Sequence, residues 1–190
     1  MEIFFDTETT GVPKNYKAPM SDTENWPRLV QIGWIVYRNG AKVYEKEHIV
    51  KPDGFEIPVQ ASNVHGITTE YAIANGQSIT NVMQEFAFIA STCDKVIGHN
   101  VSFDINVVGA EYWRMHKTSL FLDQQIICTM QSGTQYCQLP GSYGFKWPKL
   151  SELYTALFGE EMGAAHTALQ DISNTAKCYF AMVEKEIIKG

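Results

Sequence analysis

Leu29-Val30-Gln31-Ile32-Gly33-Trp34-Ile35-Val36-Tyr37-Arg38-Asn39-Gly40-Ala41-Lys42-Val43-Tyr44-Glu45-Lys46-Glu47-His48-Ile49-Val50 is the stretch that decides the fold. Leu29 to Tyr37 is rich in Ile, Val, Trp and Tyr, the residue types that suit a strand. Asn39-Gly40 tolerates the positive φ of a type I′ turn, so the chain reverses there into a further strand from Ala41 to Val50. Upstream, residues 2–6 read as a buried strand that leads into a Gly/Pro/Lys-containing loop at 11–28. Three antiparallel strands therefore open the fold.

Downstream the pattern alternates. A short helical piece follows Pro58, and a longer helix runs from about Ser78, its N-cap, through Val82, Phe86 and Ile89. Lys95 to Gly98 reads as a strand, Phe103 to about His116 as a helix, and Ile126 to Met130 as a strand. Pro148 to Phe158 reads as a helix closed by Gly159, and the last helix runs from about Thr167 to Ile188. This order predicts an α/β fold: a mixed five-stranded sheet, three strands antiparallel and the later ones parallel, flanked by helices.

At 190 residues the chain is expected to form a single domain spanning 1–190, and its 45% hydrophobic content suits a globular core. Apolar runs fall short of the roughly 20 residues a membrane helix needs, and Met1-Glu2-Ile3-Phe4-Phe5-Asp6 lacks the basic start of a secretory signal, so a cytoplasmic location away from membranes is expected. Cys93, Cys128, Cys137 and Cys178 show no C-x-x-C spacing and read as reduced core residues rather than a zinc site. The formal charge of −6 argues against coating long duplex, because that affinity comes from Lys and Arg neutralising many phosphates. Two bound divalent ions would bring −6 to −2 and reverse the field where a phosphate approaches.

Four carboxylates and a histidine fall in three clusters, each beside an apolar run. Asp6 and Glu8 lie in Phe5-Asp6-Thr7-Glu8-Thr9-Thr10-Gly11. Two apart at a strand end, they point to one face and can share a metal. Asp104, in Gly98-His99-Asn100-Val101-Ser102-Phe103-Asp104, sits near the positive end of a helix. His166 and Asp171 are five apart in His166-Thr167-Ala168-Leu169-Gln170-Asp171, or about 140° on one helix at about 100° per residue. His166 is therefore expected in the segment before the helix and Asp171 in its early turns. Taken singly, an Asp-x-Glu is usually a solvated edge, a lone Asp a helix cap, and a His before a helix merely exposed. Together they predict a site for hard divalent cations, since gathered carboxylates repel unless cations neutralise them.

These three motifs resemble those of the 3′-to-5′ exonucleases of the DEDDh type, a family that includes the proofreading epsilon subunit of bacterial DNA polymerase III and RNase T. Val64-His65-Gly66-Ile67-Thr68 is similar to the family's segment beside the terminal nucleotide, and Lys149-Leu150 through Gly159 to the helix before its third motif. The resemblance implies a ribonuclease H-like fold and two Mg²⁺ or Mn²⁺ ions held by Asp6, Glu8, Asp104 and Asp171. It also implies release of nucleoside 5′-monophosphates from the 3′ ends of single-stranded DNA or RNA, and raises a DNA polymerase subunit as a partner. His166 is then the candidate general base, its unperturbed pKa near 6.5 suiting it to accept a proton. By the same resemblance Thr9, Gly11, Val64, His65 and Phe103 would close over the chain end. The residue-level alternatives are that Phe103 is core and His65 ends a turn.

The long loop from Val12 to Arg28 and the segment Gln131 to Trp147 depart from the short bacterial proofreading domains and leave DNA and RNA unseparated as substrates. Tyr143, Phe145 and Trp147 alternate with Gly144 and Lys146, a pattern that fits either a stacking platform for bases or an edge strand whose rings pack on the core. Two other functional classes stand beside the exonuclease. One is a noncatalytic nucleic-acid or polymerase-subunit binding module, disfavoured by the electrostatic cost of the carboxylate cluster. The other is a metal-dependent phosphatase of small nucleotides.

Overall fold

A computed structural model describes residues 1–118, 120, 123–163 and 168–188. Its centre is a mixed sheet of β1 (Glu2–Thr9), β2 (Leu29–Arg38), β3 (Ala41–Ile49), β4 (Lys95–Gly98) and β5 (Gln125–Cys128) in the order β3-β2-β1-β4-β5. The first three strands pair antiparallel, whereas β4 and β5 run parallel to β1. This is the expected ribonuclease H-like five-stranded arrangement. Asn39 and Gly40 take φ of 52° and 76° in the β2–β3 turn, as a type I′ hairpin requires.

Side-chain alternation divides the core into two layers. Ile3 and Phe5 of β1 and Ile32, Trp34 and Val36 of β2 pack with α3 (Ile79–Ser91) and α4 (Val101–His116). Phe4, Ile35, Ile97 and Ile127 point the other way, to α6 (Leu150–Phe158) and α7 (Ala168–Glu184). A smaller cluster joins Val30 to α1 (Val59–His65) and α2 (Thr69–Asn75). The outer strand β3 is exposed from Ala41 to Lys46. The thiols of the four cysteines are free, and those of Cys93, Cys128 and Cys178 are buried. No helix among the described residues is long and apolar enough to cross a membrane.

The differences from the sequence reading are local and have physical causes. β1 runs on to Thr9, because β2 continues beside it as far as Leu29. Val50 leaves the ladder for a single bridge to Gln77. The strand expected at 126–130 stops at Cys128, and Thr129 starts the short helix α5 (Thr129–Cys137). Neither α5 nor α2 was expected. The rest of the Gln131 to Trp147 segment is a small hairpin, β6 (Pro140–Gly141) with β7 (Gly144–Phe145), separate from the main sheet. The Val12–Arg28 loop folds back on α4: Trp26 is buried, its Nε1 donates to the Pro19 carbonyl at 3.1 Å, and Arg114 donates to the Trp26 carbonyl at 2.9 Å.

Candidate functional site

The site forms where the sheet splits. β1 pairs with β4 only as far as Phe4↔Ile97, while on its other side the ladder to β2 continues through Asp6↔Gly33 and Glu8↔Gln31. Past Phe4, one edge of β1 is therefore open at the carboxyl end of β4, the place where an α/β sheet offers a crevice. Asp6 and Glu8 are half-buried and alternate with Thr7 and Thr9, which are buried. They share the face of Phe4, on the α7 side.

Asp104 arrives from the opposite layer. Gly98 ends β4 where a Cβ would lie 2.9 Å from Val101, and Asn100 takes the left-handed conformation (φ 64°) that asparagine tolerates. This tight turn starts α4 against β1. Asp104, 3% exposed, then accepts from the Thr7 backbone N–H at 3.0 Å and from Thr7 Oγ1 at 2.6 Å. Asp171 comes down with the first turn of α7. That helix lies close because β2 offers Gly33 directly opposite Asp6: a Cβ there would meet Ile172 Cδ1 at 2.9 Å and the Ala168 Cβ at 3.4 Å.

Electrostatics shows how close the four groups are. The Asp6 carboxyl is held well above the usual carboxylate range by burial first, then by Asp104, Glu8 and Asp171, against one backbone hydrogen bond from Thr7. Asp104 is pushed up to about 7 by burial, its two Thr7 hydrogen bonds opposing and Glu8 adding. Glu8 is raised by burial and by Asp171. Hard oxygen donors that destabilise one another's charge are the chemistry that suits Mg²⁺ or Mn²⁺. No three His, Cys, Asp or Glu side chains among the described residues converge on one point as metal ligands.

A cavity of about 300 Å³ lies over the cluster, lined by Asp6, Asp171, His99, Leu150, Ser151, Met162 and Thr175. Sequence reasoning missed the last five as site residues, although His99 stands inside the second motif. A carbonyl can only accept, so His99 Nε2 carries the proton it donates to Pro148 O at 3.0 Å, and Nδ1 pairs with Thr129 Oγ1 at 3.0 Å, a hydroxyl that also lies 3.2 Å from the Gly98 carbonyl. Burial lowers its pKa.

The residues expected to close over a chain end are placed unevenly. Thr9 Oγ1 donates to the Gly11 carbonyl at 2.6 Å. His65 ends α1 and accepts through Nδ1 from Ile67 N at 3.1 Å, leaving the proton on Nε2, which is buried and turned to the Thr9 backbone. Thr9, Gly11 and His65 therefore meet at the end of β1. Val64 is exposed on α1, and Phe103 packs partly against the core. His166 lies outside the described residues.

A family model described as exonuclease, of the RNase T type, matches residues 3–179. The DNA polymerase III subunit epsilon of Buchnera aphidicola is 30% identical over 116 residues, which cover 60% of this chain and 46% of that protein. Its counterpart in Rickettsia conorii is 29% identical over 122 residues, 64% of this chain and 48% of that one. The chain thus spans about half the length of the curated relatives it matches. Among solved structures, E. coli exonuclease I in complex with a dT13 oligonucleotide superimposes with a TM-score of 0.72 at 19% identity, covering 96% of this chain and 40% of that one. Exonuclease X in complex with 5′ overhanging duplex DNA gives 0.64 at 23% identity, covering 97% and 92%.

Proposed function

The chain belongs to the exonuclease family whose model spans residues 3–179, and from that premise we propose that it is a metal-dependent 3′-to-5′ exonuclease releasing nucleoside 5′-monophosphates. The observation that carries the reading is the gathering of Asp6, Glu8, Asp104 and Asp171 from β1, α4 and α7, three of which are raised in pKa by burial and by one another. The 3′-to-5′ direction is supported by the order of the three motifs, which resembles that of the DEDDh exonucleases. The whole of 1–190 acts as one exonuclease domain in the cytoplasm.

Asp6, Glu8, Asp104 and Asp171 are the residues that would hold divalent cations, which would supply an activated water and offset charge on the leaving 3′ oxygen. Thr7 holds Asp104 in orientation through both of its hydrogen bonds. His166 takes the proton of the attacking water, because an imidazole titrating near neutral pH can accept it where a ligated carboxylate cannot. The end of β1, with Thr9, Gly11 and His65, receives the terminal nucleotide, with Val64 and Phe103 flanking it.

Single-stranded 3′ ends are the substrate class. A dT13 oligonucleotide in the exonuclease I relative supports this, and the epsilon relatives name a DNA polymerase subunit as a further partner for a domain of this kind. The test is degradation of labelled single-stranded DNA, single-stranded RNA and blunt duplex with Mg²⁺, resolved to single nucleotides. A ladder shortening from the 3′ end, with monophosphate as product, is expected. Products confined to free phosphate from mononucleotides would show a phosphatase, and binding without cleavage a noncatalytic module.

A further inference from the structure

The β6–β7 hairpin presents its aromatic side chains to solvent. Tyr143 is 105%, Trp147 62% and Phe145 44% exposed, so the reading in which these rings pack on the core is set aside. Tyr143 stands in the hairpin turn, Phe145 in β7 and Trp147 just beyond it. All three line a single shallow depression of about 260 Å³ with Gly141, Ser142, Gly144 and Lys146. The hairpin is held in shape: Lys146 N donates to Leu139 O at 2.9 Å, and a Cβ on Gly141 would come within 3.0 Å of both Gly144 O and Lys146 N. Its base is fixed to the candidate site, because Pro148, the residue after Trp147, accepts the hydrogen bond from His99.

A path joins the two regions. The carboxylate cavity shares Ser151 and Met162 with a mainly apolar groove of about 550 Å³, which Leu139, Glu152, Thr155, Ala156 and Glu161 complete. Leu139 is the residue from which the hairpin rises. Glu152 binds Lys146 Nζ at 2.6 Å, so this lysine's charge is already engaged. Glu152 and Lys146 neutralise one another, and exposed rings beside glycines accept the faces of bases of any identity.

We propose that the Leu139–Trp147 hairpin is a base-stacking platform for the single strand on the 5′ side of the scissile bond, reached from the carboxylate cavity along this groove. The proposal rests on the exonuclease reading for its occupant. The occupant is single-stranded nucleic acid, held by stacking and not by phosphate contacts, and His99 acts as a positioning residue that keeps platform and site in register.

The experiment compares wild type with Tyr143→Ala/Trp147→Ala by fluorescence anisotropy, using a labelled dinucleotide and a labelled twelve-nucleotide strand at low and high salt. Wild type gains affinity with length, and the double variant loses that gain by about tenfold or more, stacking being worth about 1–3 kcal/mol per base. The loss is the same at both salt concentrations, because few counterions are released. Trp147→Phe recovers most of it. Circular dichroism and melting temperature match wild type, since neither ring belongs to the core. Equal affinity of wild type and double variant for the twelve-mer overturns the proposal, as does a loss that disappears at high salt. A change confined to the sedimentation of the protein alone also overturns it, identifying the hairpin as a contact between copies. Binding is read without turnover: an inactive wild type that still shows the length-dependent loss would leave the platform standing while removing the exonuclease reading.

Discussion

Asp104 and Glu111 stand on the same helix, both buried, about 10 Å apart along its axis, and their surroundings are opposite. Glu111 Oε1 receives Arg28 Nε at 2.8 Å, Arg114 at 3.0 Å and the Leu29 backbone N–H at 3.1 Å. Asp104 accepts from Thr7 and has Asp6 and Glu8 for charged neighbours. A carboxylate that serves the fold is neutralised by the chain itself. The cluster sets carboxylates against one another, an arrangement that the proposed cations would neutralise.

Breaking this contrast gives the largest expected effect at Asp6. Asp6→Asn should abolish hydrolysis while leaving the protein without divalent ions as stable as wild type or more so, and Asp104→Asn and Asp171→Asn should follow it. Full Mg²⁺-dependent activity in purified Asp6→Asn protein would sink the two-metal reading. Next comes His166→Ala, expected to lower turnover by about 10²–10⁴ with Mg²⁺ affinity kept. Protonated imidazole cannot accept a proton, so the wild-type rate should rise with pH through the His166 pKa and the variant should lack that acidic limb. An acidic limb that persists in the variant removes the base assignment.

On the structural side of the comparison, Glu111→Ala strands two guanidinium groups. It should cost about 3–5 kcal/mol by urea or thermal unfolding, with kcat at low temperature within about twofold of wild type. A Glu111→Ala protein as stable as wild type would show that the two carboxylates are not treated differently.

The smallest effect concerns pH. Asp6, Glu8 and Asp104 have folded-state pKa values raised above their unfolded ones, so the native state binds more protons. In the presence of a chelator, the contribution of these three groups to stability should therefore be greatest near pH 4 and fall as pH rises toward about 7, the value for Asp104, read as the difference from an Asp104→Asn protein. At about 1.4 kcal/mol per pKa unit, discounted for relaxation and counter-ions, the total is about 1–3 kcal/mol. Saturating Mg²⁺ should flatten this slope, and a slope of opposite sign would contradict the arrangement.

The strand hairpin at Asn39-Gly40, the caps at Ser78 and Gly159, and the carboxylate motifs were legible because each is a local rule written in adjacent residues. What stayed hidden depends on residues far apart in the chain. Glu111 reads as an ordinary helix residue until Arg28, 83 positions away, closes on it. Gly33 reads as a weak point in a strand until α7 is seen against it. The fate of Tyr143, Phe145 and Trp147 turned on whether their short strand joined the sheet, and pairing partners are not encoded in a two-residue ladder. The composition of the cavity wall from Leu150, Ser151 and Met162 likewise follows from where α6 docks.

The free edges of the sheet carry one more consequence. β5, at one border, is only four residues long, too short to template much further pairing. The long border, β3, places Lys42, Glu45 and Lys46 among its exposed residues, with Lys42 and Glu45 bonded at 2.9 Å. An incoming strand would have to strip water from these charges before any backbone hydrogen bond formed. The charged border thereby disfavours growth of the sheet by addition of a further strand.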